Sequence, residues 1–155
     1  AEGPTYQEWL HKLQIGSTDL ELVFSRGYKK GITEIIEARL PDPEEESPMH
    51  SFSQQPSSLF IRDEKDGWLH ASSGHIESLV SRITRLLTEQ LALWQRTNEH
   101  RFESETFASE LTRNVRNATG AEYTTQELVR HVRRELCSHT RTHAGTLVEY
   151  EVAGE

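Results

Sequence analysis

The chain is poor in cysteine and in long apolar runs, and each shortage excludes a class of protein. Cys137 is the only cysteine, so an intramolecular disulfide cannot form, and we expect a reducing compartment: the cytoplasm or, in a eukaryote, the nucleus. No apolar run approaches the roughly 20 residues that span a bilayer, and no secretory signal opens the sequence. We therefore expect no membrane partner.

Basic residues are also scarce. Lys and Arg number 17 against 25 Asp and Glu, which gives a net charge of −8 at pH 7 over 155 residues. An acidic surface repels phosphate backbones, so the composition disfavours nucleic acid as the default partner. The length predicts a single domain over residues 1–155.

Motifs that specify a reaction are missing as well. The chain contains no Gly-x-Ser-x-Gly, no glycine-rich phosphate loop and no His-Glu-x-x-His. Cys137, His139 and His143, with His131 upstream, are zinc-binding residue types, but the paired Cys-x-x-Cys spacing is absent. We expect no metal and no cofactor, and we favour a non-enzymatic protein over an enzyme.

A long amphipathic helix near residues 75–98 is the strongest pattern that is present. Its apolar residues recur at helical spacing, and in a heptad they fill positions a, d and e. This stripe is wider than the seam of a two-stranded coiled coil, so we expect the helix at the centre of a globular core. The stripe consists of Ile76, Leu79, Val80, Ile83, Leu86, Leu87, Leu93 and Trp94.

The N-terminal region contains one clear helix and one ambiguous segment. Thr5 opens a capping-box pattern that predicts a helix near residues 5–14. Residues 17–40 fit either a β-hairpin or two short helices broken at Gly27 and Gly31. Both alternatives stay open at this point.

The middle of the chain combines a predicted loop with a predicted hairpin. Residues 41–58 are rich in Pro, Glu and Ser, and we expect a polar loop there because this composition packs poorly into a core. Residues 59–62 and 68–71 are two apolar runs around an Asp-Gly turn, which is typical of a hairpin.

Two further helices are predicted towards the C-terminus, followed by a strand. The first covers residues 107–118 and stops at Gly120, and the second is opened by a capping box at Thr124. Residues 146–152 have the pattern of a strand. We therefore expect an α+β, mainly helical fold in which a helical pair and a small hairpin or strand component pack on the long helix, with a winged-helix-like arrangement as an option.

The helical pair at 104–137 has the outline of a helix–turn–helix. Such a motif needs cations for phosphates and exposed side chains that reach base edges. An ordinary pair of packed helices with a solvated arginine face has the same pattern. The candidate DNA contacts are Arg113, Arg116, Arg130, Arg133, Arg134 and Arg141.

Aromatic and acidic residues indicate a protein-binding surface instead. Tyr and Trp are enriched at interface hot spots, and an acidic run steers a basic partner. The candidate partner-binding residues are Tyr6, Trp9, Trp68, Glu44, Glu45 and Glu46. We expect a non-enzymatic regulatory or adaptor domain that binds a protein partner, with a second copy of the chain among the options. The alternative is a winged-helix-like DNA-binding regulator that uses the basic face of the 125–137 helix.

Overall fold

Six α-helices and a small sheet make up the part of the chain that the computed structural model describes, residues 3–42, 46–142 and 152–153. In chain order the elements are α1 Tyr6–His11, α2 Ser17–Arg26, α3 Tyr28–Ala38, β1 Met49–Phe52, β2 Gln55–Asp63, β3 Gly67–His70, α4 Ser73–Thr97, a 3-10 turn at Glu99–Arg101, α5 Glu105–Thr119, α6 Thr125–His139, β4 Arg141–Thr142 and β5 Val152–Ala153. The prediction of a mainly helical α+β fold is confirmed. Within these ranges, no helix has both the length and the apolar character needed to cross a membrane.

Capping side chains begin the predicted helices where the sequence indicates. The Thr5 side chain accepts a hydrogen bond from the Glu8 backbone N–H, and the Glu8 carboxylate accepts one from the Thr5 backbone N–H. Thr124 likewise accepts from the backbone N–H of Glu127, 3.1 Å away. These bonds satisfy N–H groups that the first helical turn leaves unpaired.

Residues 17–40 form two helices, so the hairpin alternative for this segment is wrong. The break falls at Gly27 alone, where φ is +85°, a conformation that glycine adopts without steric cost. Gly31 lies within α3, at the point where α3 crosses α2 very closely. A Cβ at Gly31 would lie 2.4 Å from Cγ1 of Val23, so the glycine permits the close approach of the two helices.

The sheet is built on three antiparallel strands in the order β1-β2-β3, with β4 and β5 as short parallel strands at opposite edges. The predicted hairpin is β2–β3, in which Asp63 pairs with Gly67. The loop prediction for residues 41–58 is wrong for its second half. All four residues of β1 are buried, and the apolar Met49 and Phe52 are almost completely so, because the strand is paired on both sides, whatever the average composition around it.

Helix α4 lies at the centre of the hydrophobic core and packs against α2, α5 and α6. Its 25 residues extend over about 37 Å. The buried stripe is the predicted one except near its end, where Leu93 is 49% exposed and Leu91 is buried instead. The fully or nearly fully buried residues are Ile76, Leu79, Val80, Ile83, Leu87 and Leu91.

Helices α5 and α6 are joined at Gly120 but do not pack lengthwise against each other. Helix α5 packs on α2 and α4, whereas α6 packs on β2, α4 and α3. In the described part of the chain only the two-residue strands β4 and β5 follow α6, and they lie at opposite edges of the sheet. Residues 143–151, which carry most of the predicted terminal strand, lie outside the described residues. The winged-helix arrangement therefore stays a prediction.

The turn at Gly120 generates a prediction about stability. Gly120 has φ of +65°, and a Cβ there would lie 2.5 Å from the Tyr28 ring, whereas a Cβ at the helical residue Gly74 meets only ordinary contacts. We expect Gly120→Ala to lower the free energy of unfolding by about 2 kcal/mol or more. Gly74→Ala should raise it by up to about 1 kcal/mol. Urea denaturation monitored by circular dichroism measures both, and equal midpoints for the two variants would contradict this account of the turn.

Candidate functional site: a groove along the central helix

The predicted aromatic anchors are mostly part of the core. Tyr6 and Trp9 are 4% and 7% exposed, so their prediction as surface anchors is wrong. The Tyr6 hydroxyl donates to the His75 carbonyl at 2.8 Å, and the Trp9 indole N–H donates to the Arg39 carbonyl at 2.9 Å. Both side chains therefore tie α1 to the rest of the fold.

The remaining predicted partner-binding residues occupy other parts of the surface. Trp68 is half-buried on β3, with its ring centroid 5.1 Å from that of His50. Glu46 is exposed, while Glu44 and Glu45 lie outside the described residues. Among the described residues, Tyr6 and Trp9 lie on α1, Trp68 lies on β3 and Glu46 lies before β1, so they belong to separate elements.

The six predicted arginines divide between two helices and a strand. Arg113 and Arg116 are exposed on α5, and Arg141 in β4 donates to the Pro56 carbonyl at 2.9 Å. Arg134 lies 3.6 Å from Glu135 and contacts a ring nitrogen of His131. Helices α5 and α6 do not pack along each other. The arginines of α5 and those of α6 therefore lie on helices with different packing partners.

Arg130 and Arg133 differ from the other four predicted arginines. They lie one helical turn apart on α6 and both line a cleft between α6 and the start of α4. Neither forms an ion pair with any residue in the described ranges. Their guanidinium groups are therefore available to a ligand in that cleft.

Two of the residues considered as metal ligands, Cys137 and His139, belong to α6. Cys137 is buried, and burial raises the pKa of its thiol. The Nδ1 atom of His139 lies 4.0 Å from a carboxylate oxygen of Glu37 on α3, and His143 lies outside the described residues. No cluster of three or more His, Cys, Asp or Glu residues suited to a metal occurs in the described part of the chain.

Two adjoining clefts form one groove beside α4. Their volumes are about 540 and 470 Å³, and they share the lining residues Glu77, Thr125 and Val129, so they lie next to each other. We call this feature the α4 groove. The wall on α4 includes Ser73, Glu77, Val80, Ser81, Thr84, Arg85, Thr88 and Glu89, and the facing wall includes Tyr28, Gly120, Tyr123, Val129, Arg130 and Arg133.

The facing wall is held in place by a tyrosine pair. Tyr28 and Tyr123 stack with ring centroids 6.2 Å apart, and the Lys29 ammonium lies 5.2 Å from the centroid of the Tyr123 ring. The Tyr28 ring also lies against Gly120, where no side chain intervenes. Burial raises the pKa of the Tyr28 hydroxyl, which stays protonated at neutral pH.

Three threonine hydroxyls of the groove donate their protons inside the fold. Thr84 donates its proton to the Val80 carbonyl at 2.7 Å, so in its 2.6 Å contact with Tyr28 the tyrosine must be the donor. Thr88 and Thr119 donate to the carbonyls one turn before them on their own helices. These three threonines therefore present oxygen lone pairs, which accept hydrogen bonds from a ligand, while Arg85 between Thr84 and Thr88 adds guanidinium N–H donors to the same groove.

A larger cleft of about 1150 Å³ lies between α1 and the end of α3, and two of its charged groups, those of Arg39 and Glu8, are committed internally. The Arg39 guanidinium donates to Asp19 at 2.8 Å and to the carbonyls of Gln14 and Ile35 at 3.1 Å. The Glu8 carboxylate is held by the cap at Thr5. This cleft therefore offers a ligand fewer free polar groups than the α4 groove does.

Comparison with protein-family models, curated proteins and solved structures finds no match to this chain. The groove is therefore interpreted from its own geometry. Sequence reasoning had selected Arg130 and Arg133 but none of the hydroxyl residues on α4. These resemble the solvated side of any amphipathic helix, and no local signal separates the residues that line a groove from those that face open solvent.

The Tyr28–Thr84 hydrogen bond can be tested by stability measurements. Thr84→Val removes the acceptor of a largely buried hydroxyl, and we expect a loss of about 1–3 kcal/mol in the free energy of unfolding. The exposed Thr88→Val is the control and should change it by less than about 0.5 kcal/mol. In a Tyr28→Phe background Thr84→Val should cost much less. An equal cost in both backgrounds would show that the two side chains are not coupled.

His131 on α6, which lies near Lys29 on α3, predicts a pH dependence of the free energy of unfolding. Burial lowers the pKa of His131, with Lys29 and Arg134 acting in the same direction and Glu135 opposing them. Because the folded pKa lies below the unfolded one, the contribution of neutral His131 is present above about pH 6.5 and is lost as the pH falls. The wild type should therefore lose more stability than His131→Gln between pH 7 and pH 5.

Urea denaturation at pH 7, 6 and 5 measures this difference. His100→Gln, on the exposed 3-10 turn, is the matched control and should follow the wild type. Parallel curves for the wild type and His131→Gln would rule out the proposed role of His131.

Proposed function

We propose that this protein is a non-enzymatic adaptor or regulatory module that binds a segment of a partner protein in the α4 groove. The observation that carries the proposal is that two adjoining clefts line α4, with lining residues on that helix from Ser73 to Glu89. Sixteen helical steps correspond to about 24 Å, which accommodates about seven residues of an extended peptide.

The composition of the groove supports peptide binding. Aliphatic groups of Val80, Leu128 and Val129 lie among the lining residues, while hydroxyl oxygens accept hydrogen bonds beside them. A peptide presents both backbone N–H donors and apolar side chains at regular intervals, so it can use both kinds of surface. Recognition of this type needs no rearrangement of the helices.

Binding fits these residues better than catalysis. The groove lining contains hydroxyl groups but no His or Cys in the described ranges. A Ser or Thr hydroxyl is a weak nucleophile unless a base accepts its proton, and the protons of Thr84 and Thr88 point to backbone carbonyls. A binding role in the cytoplasm, or in the nucleus of a eukaryotic cell, agrees with the free buried thiol of Cys137.

The alternative of a DNA-binding regulator rests on Arg130 and Arg133, which have no ionic partner in the described ranges. The carboxylates of Glu77 and Glu89 in the same groove oppose it, because they repel a phosphate backbone, and the guanidinium of Arg85 offsets part of that repulsion. A second copy of the chain also remains a possible partner. DNA and a second copy of the chain would each contact the α4 groove or its arginines. The same variants therefore test binding of a peptide, of DNA and of a second copy.

A steric block tests the proposed site. Ser81 lines the groove, whereas Ser78 is exposed on the same helix outside it, so Ser81→Trp and Ser78→Trp differ only in whether they fill the groove. Peptides are first selected on the wild type from a phage-displayed library of random dodecapeptides. We expect Ser81→Trp to weaken the selected peptides at least tenfold by fluorescence anisotropy and Ser78→Trp to leave their affinity unchanged.

The controls distinguish a blocked groove from a damaged fold. Both variants should retain the wild-type circular dichroism spectrum and unfolding midpoint, because both positions are exposed. A selection that yields no peptide sensitive to Ser81→Trp would overturn the proposed function.

A further inference from the structure

We infer that the partner segment carries an acidic side chain at one end, which Arg130 and Arg133 bind, an inference that rests on the proposed function. The two guanidinium groups lie where the α4 groove meets the start of α4. The carboxylate of the partner would enter this end, and the following residues would run towards Thr84 and Thr88.

Charge complementarity supports an anionic group at this end. Arg130 and Arg133 line a cleft of about 470 Å³ in which Glu77 is the only acidic lining residue in the described ranges. Neither arginine is within ion-pair distance of Glu77 or of any other described carboxylate. An incoming carboxylate would therefore add an attraction without displacing an existing ion pair. Two guanidinium groups can hold it through charge-assisted hydrogen bonds.

The middle of the groove combines hydrogen-bond acceptors with one further cation, Arg85, so it suits a ligand that carries donors as well as acceptors. Thr84 and Thr88 present lone pairs only, because their protons are donated to helix carbonyls. Glu89 adds a negative charge at the far end. A peptide can offer N–H donors there and an acidic side chain at the arginine end, whereas a nucleic-acid backbone offers an anionic acceptor at every position. The polarity of the groove thus favours an acidic peptide.

The inference is tested with the peptides selected from the random library. The selected sequences should share an Asp or Glu near one end, and replacing that residue by Asn or Gln should weaken binding to the wild type at least tenfold. On the double variant Arg130→Ala/Arg133→Ala the same replacement should have little effect. Affinity for the wild type should also fall as salt is raised from 50 to about 200 mM, because the contact is ionic.

The matched control is Arg113→Ala/Arg116→Ala, which removes the same charge from exposed positions on α5 outside the groove. It should leave the affinity within twofold of the wild type. Equal losses from both double variants would show a general effect of net charge and overturn the inference.

Two other outcomes separate this inference from the proposed function. Peptides that are lost with Ser81→Trp but have no acidic requirement would overturn the inference and leave the proposed function standing. No groove-dependent peptide at all would overturn the proposed function itself.

A labelled 20-base-pair DNA duplex is titrated in parallel, and binding that is tighter than that of the peptides and lost in Arg130→Ala/Arg133→Ala would assign the arginines to nucleic acid instead.

Discussion

Burial of one apolar stripe on α4 constrains the arrangement of the other elements. Ile83 and Leu87 are completely shielded from solvent, and α2, α5 and α6 all pack on this helix. Burying side chains of this size stabilises the fold by about 1.5–3 kcal/mol each. Part of the polar side of α4 is then left beside the turn between α5 and α6. The α4 groove is a consequence of that packing, because the turn stands beside the polar side without covering it.

Tyr28 determines the position of the facing wall. Its ring fills the space that Gly120 leaves empty, its hydroxyl bonds to Thr84 on α4, and its face stacks on Tyr123. One side chain at the start of α3 therefore fixes the separation between α4 and the α5–α6 turn. A preorganised groove of this kind loses little conformational entropy on binding, which is the physical basis for expecting a ligand there.

Most elements could be predicted from short-range patterns, and the errors have physical explanations. Thr5, Gly120 and the Asp-Gly turn act within a few residues, so their effects are visible in the sequence. Residues 17–40 were ambiguous because the same apolar spacing fits a hairpin and a pair of helices until the packing of α3 on α2 is known. The strand at residues 49–52 was not predicted because it lies in a segment that is polar on average. Two apolar side chains change that average little.

The sequence by itself determined the central amphipathic helix, the hairpin, the two C-terminal helices and the presence of arginines on α6. The tertiary structure decided the surroundings of the predicted arginines: Arg134 lies beside Glu135, Arg141 donates to the Pro56 carbonyl of β2, and Arg130 and Arg133 have no ion pair with a described residue. It also decided that Tyr6 and Trp9 are core residues and that hydroxyl groups on α4 line a groove. The reason is that amphipathicity depends on local spacing, whereas a concave surface depends on the distances between elements far apart in the chain.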